Sequence, residues 1–368
     1  MIKVVNIISD SNIGGAGKCV LTFCDNYNRE KFDLTVIIPK GSKLVPELQK
    51  RDVKYIECNN IADCSLSFKG ILSLKRIIKE IKPHVVHTHA SMSGRIAATL
   101  VGVKKVIYTL HCVYEPSVFS KSFVGKIINK IVSNLFSTHI IAVAEEAKNN
   151  LVKCGINPKK IKVILNGIIP VKINNDKESL KNRFNIKDGE KVVSIIARLE
   201  EVKGHKYFIE AARILKDKGY CAKFIIAGNG SYEEEIRKYS EINGNPVDFT
   251  GFISDPENLI SVTDISVNAC FGTEATSISL LEGMSAGIPA VVSNYGGNPG
   301  VIQDGVNGYL FHIHNSEELA EKLEILLGNE DIYNKMSANA IKVFNETFTA
   351  DIYTKNIENM YYPERKEW

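Results

Sequence analysis

The chain is expected to be an α/β protein of two doubly wound parallel-sheet domains, and three observations support that reading. Short β-branched runs recur with amphipathic helical stretches between them, the rhythm of strands buried on both faces. The length, 368 residues, exceeds one ordinary core and suits two. A polar passage containing proline, PVKINNDKES from Pro170, interrupts the rhythm after Asn166-Gly167 and reads as a linker.

Taken in order, the strand-like runs of the first half are VVNII from Val4, LTVII from Leu34, HVVHT from His84, KVIYT from Lys105, HIIAV from His139 and KVILN from Lys162. Those of the second half are KVVSII from Lys191, KFIIAG from Lys223, ISVNAC from Ile265 and AVVSN from Ala290. Between them lie helical patterns such as Gly204 to Lys216. The expected domains are 1–168 and 169–350, with a last helix over about 351–368 packing back onto the first. Ligands in such sheets sit beyond the carboxyl ends of the strands, so two domains facing each other would make a cleft.

A composition of 44% hydrophobic and 24% charged residues is that of a globular protein. Met1 to Ile8 lacks a signal-peptide n-region, and no stretch approaches the roughly 18 to 20 apolar residues of a membrane span, which points to the cytosol. The eight cysteines include no Cys-x-x-Cys pair, so free thiols packed as small hydrophobes are expected in place of a metal site or disulfides. Charge is uneven. Residues 1–170 carry 25 Lys+Arg against 12 Asp+Glu, and residues 171–368 carry 21 against 30. Within the basic half, Ser117 to Phe136 places Phe119, Phe123, Ile127, Ile128, Ile131, Val132 and Leu135 at helical spacing beside Lys121, Lys126 and Lys130. Such a stripe ordinarily packs into its own domain; the alternative is contact with an anionic inner-membrane surface. No interleaving of aromatics and arginines marks a nucleic-acid partner.

The glycine-rich stretch SNIGGAGKCV, Ser11 to Val20, follows a strand and opens a helix. An NTPase phosphate loop fails at Asn12 and Cys19, and a dinucleotide fingerprint fails at Val20. A tight turn remains, which either faces an anion or lets the helix pack closely. The segment FGTEATSISLLEGMSAGIPAVVSNYGG is richer. Glu274 falls just beyond a strand, Glu282 lies eight residues on, and the helix start between them offers free amides from about Ser277 to Leu281. Amides and helix dipole suit phosphates, while the carboxylates suit sugar and ribose hydroxyls. The competing reading of Ser279 and Glu282 is a capping box. Arg198 and Lys203 flank another turn after a strand, where two cations could neutralise a diphosphate leaving group, although solvated surface charge is the default reading of such a spacing.

With these motifs the chain resembles the retaining, GT-B-fold glycosyltransferases of family GT4 over nearly its full length. The specific parts are RLEEVKG (198–204) and EATSISLLE (274–282), joined by GGAG, HTH (87–89), TLH (109–111), AGNG (227–230), FTGF (249–252) and the glycine pair 296–297. The resemblance implies two Rossmann-like domains facing across a cleft. It implies that Arg198 and Lys203 grip the diphosphate of a nucleotide sugar, that Glu282 binds the ribose, and that Glu274 holds hydroxyls of the transferred sugar. His111 would approach that sugar from the other domain; Gly14 and Gly15 would lie beside the phosphates and acceptor, and Gly251 and Phe252 near the base. Gly228, Ser279 and Leu280 complete the donor-binding set. Three positions depart from the pattern: Gly17 where relatives carry Glu, Ala275 for Gly, and Gly300 for Glu. His87 and His89 read as satisfied hydrogen-bonders at a strand end.

The activity so implied is transfer of a hexose or N-acetylhexosamine from a nucleotide sugar, UDP-linked, to a glycan or lipid-linked acceptor in cell-surface polysaccharide synthesis. No cofactor is implied, and the absence of an Asp-x-Asp pattern leads us to expect no metal. The alternatives are a nucleotide-sugar epimerase of the same architecture, which donor-only incubation would expose, and a non-catalytic binding module.

Overall fold

The computed structural model describes residues 1–113 and 115–363; positions 364–368 of the expected terminal helix lie outside the described residues. The chain divides into two compact units, one formed by Met1–Ile168 together with the chain from Ala350 onward, the other by Ile169–Thr349.

Unit 1 is built on β1 (Ile2–Ile8), β2 (Phe32–Pro39), β3 (Lys54–Cys58), β4 (Val85–His89), β5 (Lys105–Leu110), β6 (His139–Ala142) and β7 (Ile161–Val163), in the sheet order β3-β2-β1-β4-β5-β6-β7. Unit 2 contains β8 (Lys191–Ile196), β9 (Ala222–Ala227), β10 (Asp248–Gly251), β11 (Ile265–Asn268), β12 (Ala290–Ser293) and β13 (Gly308–Phe311), in the order β10-β9-β8-β11-β12-β13. The paired strands are parallel throughout. Each sheet therefore grows outward from its first strand and then reverses past it, between β1 and β4 in unit 1 and between β8 and β11 in unit 2. At such a reversal the loops leaving the two central strands diverge and open a crevice.

Three strands, β3, β10 and β13, are absent from the runs expected above, and all three lie at sheet edges. An edge strand has one neighbour and needs less apolar side chain, so KYIEC and DFTG carry little signal. The central strands are saturated with buried Val and Ile. In unit 1, one face of the sheet packs on the helices Gly15–Asn26 and Ala350–Tyr361, and the other on Phe68–Ile81 and Met92–Val101. In unit 2 the larger core gathers around His205–Asp217 and Ser316–Gly328.

Tyr361 ties the last helix into unit 1. It is fully buried, edge-on to Phe23 and Phe32, with its hydroxyl donating to Asn6 Oδ1 at 3.2 Å. The same hydroxyl lies 2.8 Å from His87 Nδ1. Tyr361→Ala should cost about 3–5 kcal/mol in urea unfolding. Tyr361→Phe, which keeps the ring and orphans only the polar partners, should cost roughly 1–3 kcal/mol.

Candidate functional site

In unit 2 the candidate groups hang from the carboxyl ends of successive strands. Arg198 and Lys203 follow β8, Gly228 follows β9, Gly251 ends β10 with Phe252 just beyond it, Glu274 follows β11, and the glycine pair 296–297 follows β12. The reversal between β8 and β11 thus lies between the Arg198–Lys203 turn and the Glu274 loop. Across it Lys203 Nζ donates to Glu274 Oε2 at 2.7 Å, with 15% and 10% of the two side chains exposed. Asn268 Nδ2 reaches the same carboxylate oxygen at 3.4 Å. Behind it, Asn268 Oδ1 accepts from the Cys270 amide at 3.1 Å and from Asn298 Nδ2 at 3.4 Å. This asparagine pair carried no signal in the sequence. Arg198 is exposed, and its guanidinium has no hydrogen-bond or ion-pair partner among the described residues.

Backbone contact positions these loops. A Cβ on Gly228, whose φ is +145°, would fall 1.9 Å from the Ala197 carbonyl oxygen, so the AGNG turn lies directly against the chain that presents Arg198. A Cβ on Gly297 would fall 1.6 Å from the Ala275 carbonyl oxygen, so the glycine pair backs the Glu274 loop in the same manner. The Gly228 amide donates to the Gly251 carbonyl at 2.9 Å, and the Gly297 amide to the Glu274 carbonyl at 3.2 Å.

The helix after Glu274 runs Ile278–Ser285 with Ser277 as its N-cap and no side-chain cap bond. The capping-box reading of Ser279 with Glu282 is not realised, because the helix starts two residues too early for Ser279 to occupy the cap and its hydroxyl pairs with Ser277 Oγ at 3.1 Å. Ser279 and Glu282 are half-buried, Leu280 has its side chain in the core, and Phe252 is 71% exposed. No carboxylate occupies that first turn, which leaves it suited to an anion.

Gly14, Gly15 and His111 belong to unit 1. Gly14 is the N-cap of the helix Gly15–Asn26, which has neither a side-chain cap bond nor an acidic residue in its first turn. The histidines stand along one face at the ends of β4 and β5. His87 Nε2 lies 2.6 Å from Thr109 Oγ1, so both ring nitrogens of His87 are satisfied. His89 Nδ1 lies 2.8 Å from His111 Nε2. Burial holds the His87 imidazole down to about 3 and that of His111 to about 4, and it pushes His89 well below its usual range. All three rings are neutral at pH 7.

The amphipathic helix corrects an expectation. Of Phe123–Phe136 only Gly125 and Ser133 are buried, whereas Phe123 is 80% and Leu135 58% exposed. Gly125 packs against the preceding turn, where a Cβ would fall 1.9 Å from the Phe119 carbonyl oxygen, and Ser133 is buried. The apolar stripe is therefore turned outward, continued by Val118 and Phe119 and by Leu100. Among the described residues no helix is long and apolar enough to cross a membrane.

Residues 13–171 match the family described as Glycosyltransferase Family 4, and residues 176–343 that described as Glycosyl transferases group 1. The chain is similar to the Escherichia coli UDP-Gal:alpha-D-GlcNAc-diphosphoundecaprenol alpha-1,3-galactosyltransferase, at 26% identity over 98% of this chain and 96% of the relative. It also resembles the Campylobacter jejuni N,N'-diacetylbacillosaminyl-diphospho-undecaprenol alpha-1,3-N-acetylgalactosaminyltransferase, at 27% identity over 78% and 80% of the two chains. Among solved structures, Anabaena HepE in complex with UDP superposes with a TM-score of 0.83 at 19% identity, over 97% of this chain and 99% of that one. A glycosyltransferase from Rickettsia africae gives 0.84 at 22% identity, over 98% of each. The fold is GT-B, with two Rossmann-like domains.

Lys203→Met would strand the Glu274 carboxylate beside a nearly closed surface and should lower stability by roughly 3 kcal/mol in urea unfolding at pH 7. The double variant with Glu274→Leu should recover at least half of that loss.

Proposed function

The chain belongs to the family 4, group 1 glycosyltransferases, and on that premise we propose that it transfers a hexose or N-acetylhexosamine, with retention, from a UDP-sugar to a lipid-linked or glycan acceptor in cell-surface polysaccharide synthesis. One observation carries the reading: an exposed arginine, and a lysine paired with a carboxylate, converge at the strand-order reversal of unit 2. A sugar diphosphate needs those groups together. Its pyrophosphate takes Arg198, Lys203 and the amides at Ser279 and Leu280, while Glu274 accepts hydroxyl protons of the sugar and Glu282 those of the ribose. Gly251 and Phe252 flank the base, Gly228 keeps the backbone close, and Gly14, Gly15 and His111 serve the phosphates, acceptor and sugar. The relatives named for UDP-galactose and for diphospho-undecaprenol acceptors support the donor and acceptor classes.

In the proposed step the bond between the anomeric carbon and the phosphate oxygen breaks as the acceptor hydroxyl bonds to that carbon on the same face. The hydroxyl proton passes to the departing phosphate oxygen. Arg198, Lys203 and the helix dipole stabilise the charge that develops on the leaving group, so the protein's contribution is electrostatic and positional, and no metal is invoked. Before donor binds, the Lys203–Glu274 pair keeps both groups partnered.

A lipid-linked acceptor places the protein at the inner face of the membrane, and the outward apolar stripe over 117–136 is the surface proposed to touch it. Exposed Lys126 and Lys130 on that helix, with Lys104 nearby in sequence to Leu100, complement anionic headgroups.

Arg198→Ala should leave the unfolding midpoint unchanged, since the side chain is exposed, yet reduce turnover with UDP-sugars about 10²–10³-fold. Near-normal turnover would remove the assigned role. Sedimentation with anionic vesicles should show binding that weakens as salt rises and is lost in Phe119→Ser/Phe123→Ser; no salt-sensitive binding would remove the membrane contact.

A further inference from the structure

The histidines at the ends of β4 and β5 contain a proton assignment that can be worked out from hydrogen-bond direction alone. A tyrosine hydroxyl has one proton to give, and Tyr361 gives it to Asn6 Oδ1, which can only accept. It must therefore accept from His87 Nδ1, so His87 carries its proton there and its Nε2 accepts from the Thr109 hydroxyl. One step outward along the same face, His89 Nδ1 and His111 Nε2 share a single proton between two neutral rings.

The two placements differ in what they leave behind. If His111 donates, the leftover N–H is His89 Nε2, on a residue 2% exposed at the last position of β4, with no partner among the described residues. If His89 donates, its Nε2 is a bare lone pair and the leftover N–H is His111 Nδ1, also covered and without a partner among the described residues. His111, however, lies past the end of β5 on a partly exposed stretch, where a ring rotation or an arriving ligand can satisfy it. Orphaned buried N–H groups are rarer than orphaned acceptors, and here only one of the two can be relieved. The second placement prevails.

We propose that His89 is a positioning residue whose Nδ1–H holds His111 in the tautomer protonated at Nδ1, so that His111 meets a sugar oxygen as a hydrogen-bond donor and not as a base. The functional half of this inference rests on the assignment of His111 to the sugar site. The tautomer half does not.

The test uses the full chain labelled with ¹⁵N at histidine, with His111→Ala to assign the signals. Long-range proton–nitrogen correlation without any ligand should show His111 and His89 each protonated at Nδ1; a proton on His111 Nε2 overturns the proposal whether or not the protein transfers sugar. In turnover assays, His89→Leu should lower kcat about tenfold and release His111 into a tautomer mixture. His89→Asn, whose amide nitrogen stands near the place of Nδ1, should restore both. A His89→Leu variant with full turnover and an unchanged His111 signal would also overturn it. Loss of transfer in every variant and in the native chain, with the signals as expected, would instead sink the transferase reading and leave the tautomer intact.

Discussion

Two loops of unit 2 are held backbone to backbone, and its candidate chemistry depends on that constraint. Ala197 can lie under Gly228, and Ala275 under Gly297, because neither glycine has a Cβ to collide with the carbonyl opposite. The Arg198–Lys203 turn and the Glu274 loop are thereby fixed from behind, and the 2.7 Å ion pair spans what is left between them. Side chains alone would place a lysine and a glutamate less accurately, since each carries several free torsions whose ordering costs entropy. A rigid backbone seat reduces that cost.

The Lys203–Glu274 pair also shows how two nearly closed charges are held stably side by side. A lone lysine and a lone glutamate would each be poorly solvated at 10–15% exposure, and joining them meets the demand of both. Asn268 and Asn298 extend the arrangement into the core by fixing which carboxylate oxygen faces inward.

The doubly wound architecture was legible because central parallel strands must be apolar on both faces, and runs such as KVVSII permit few other readings. Edge strands such as KYIEC escaped because one flank and part of their surface meet water. At 274–282 the carboxylate after a strand and the uncapped helix start were legible, since both are local features. The histidine pair was half legible. His89 and His111 stand 22 positions apart, and only the β4–β5 register brings them within 2.8 Å. The orientation of Phe123–Phe136 was misjudged because periodicity reveals that a stripe exists but not which side it faces. Gly125 and Ser133, small residues on the other side, decided that.

Unit 1 is discontinuous in the chain, and its final helix brings Tyr361 to Asn6, 355 positions away. During ribosomal synthesis the first seven strands emerge long before the tyrosine that fills their core. Unit 2 is complete by Thr349 and can collapse while its neighbour still waits for that plug. The nascent first half therefore exposes apolar surface throughout the translation of about half the molecule, which makes it the stretch where a chaperone would have most to shield.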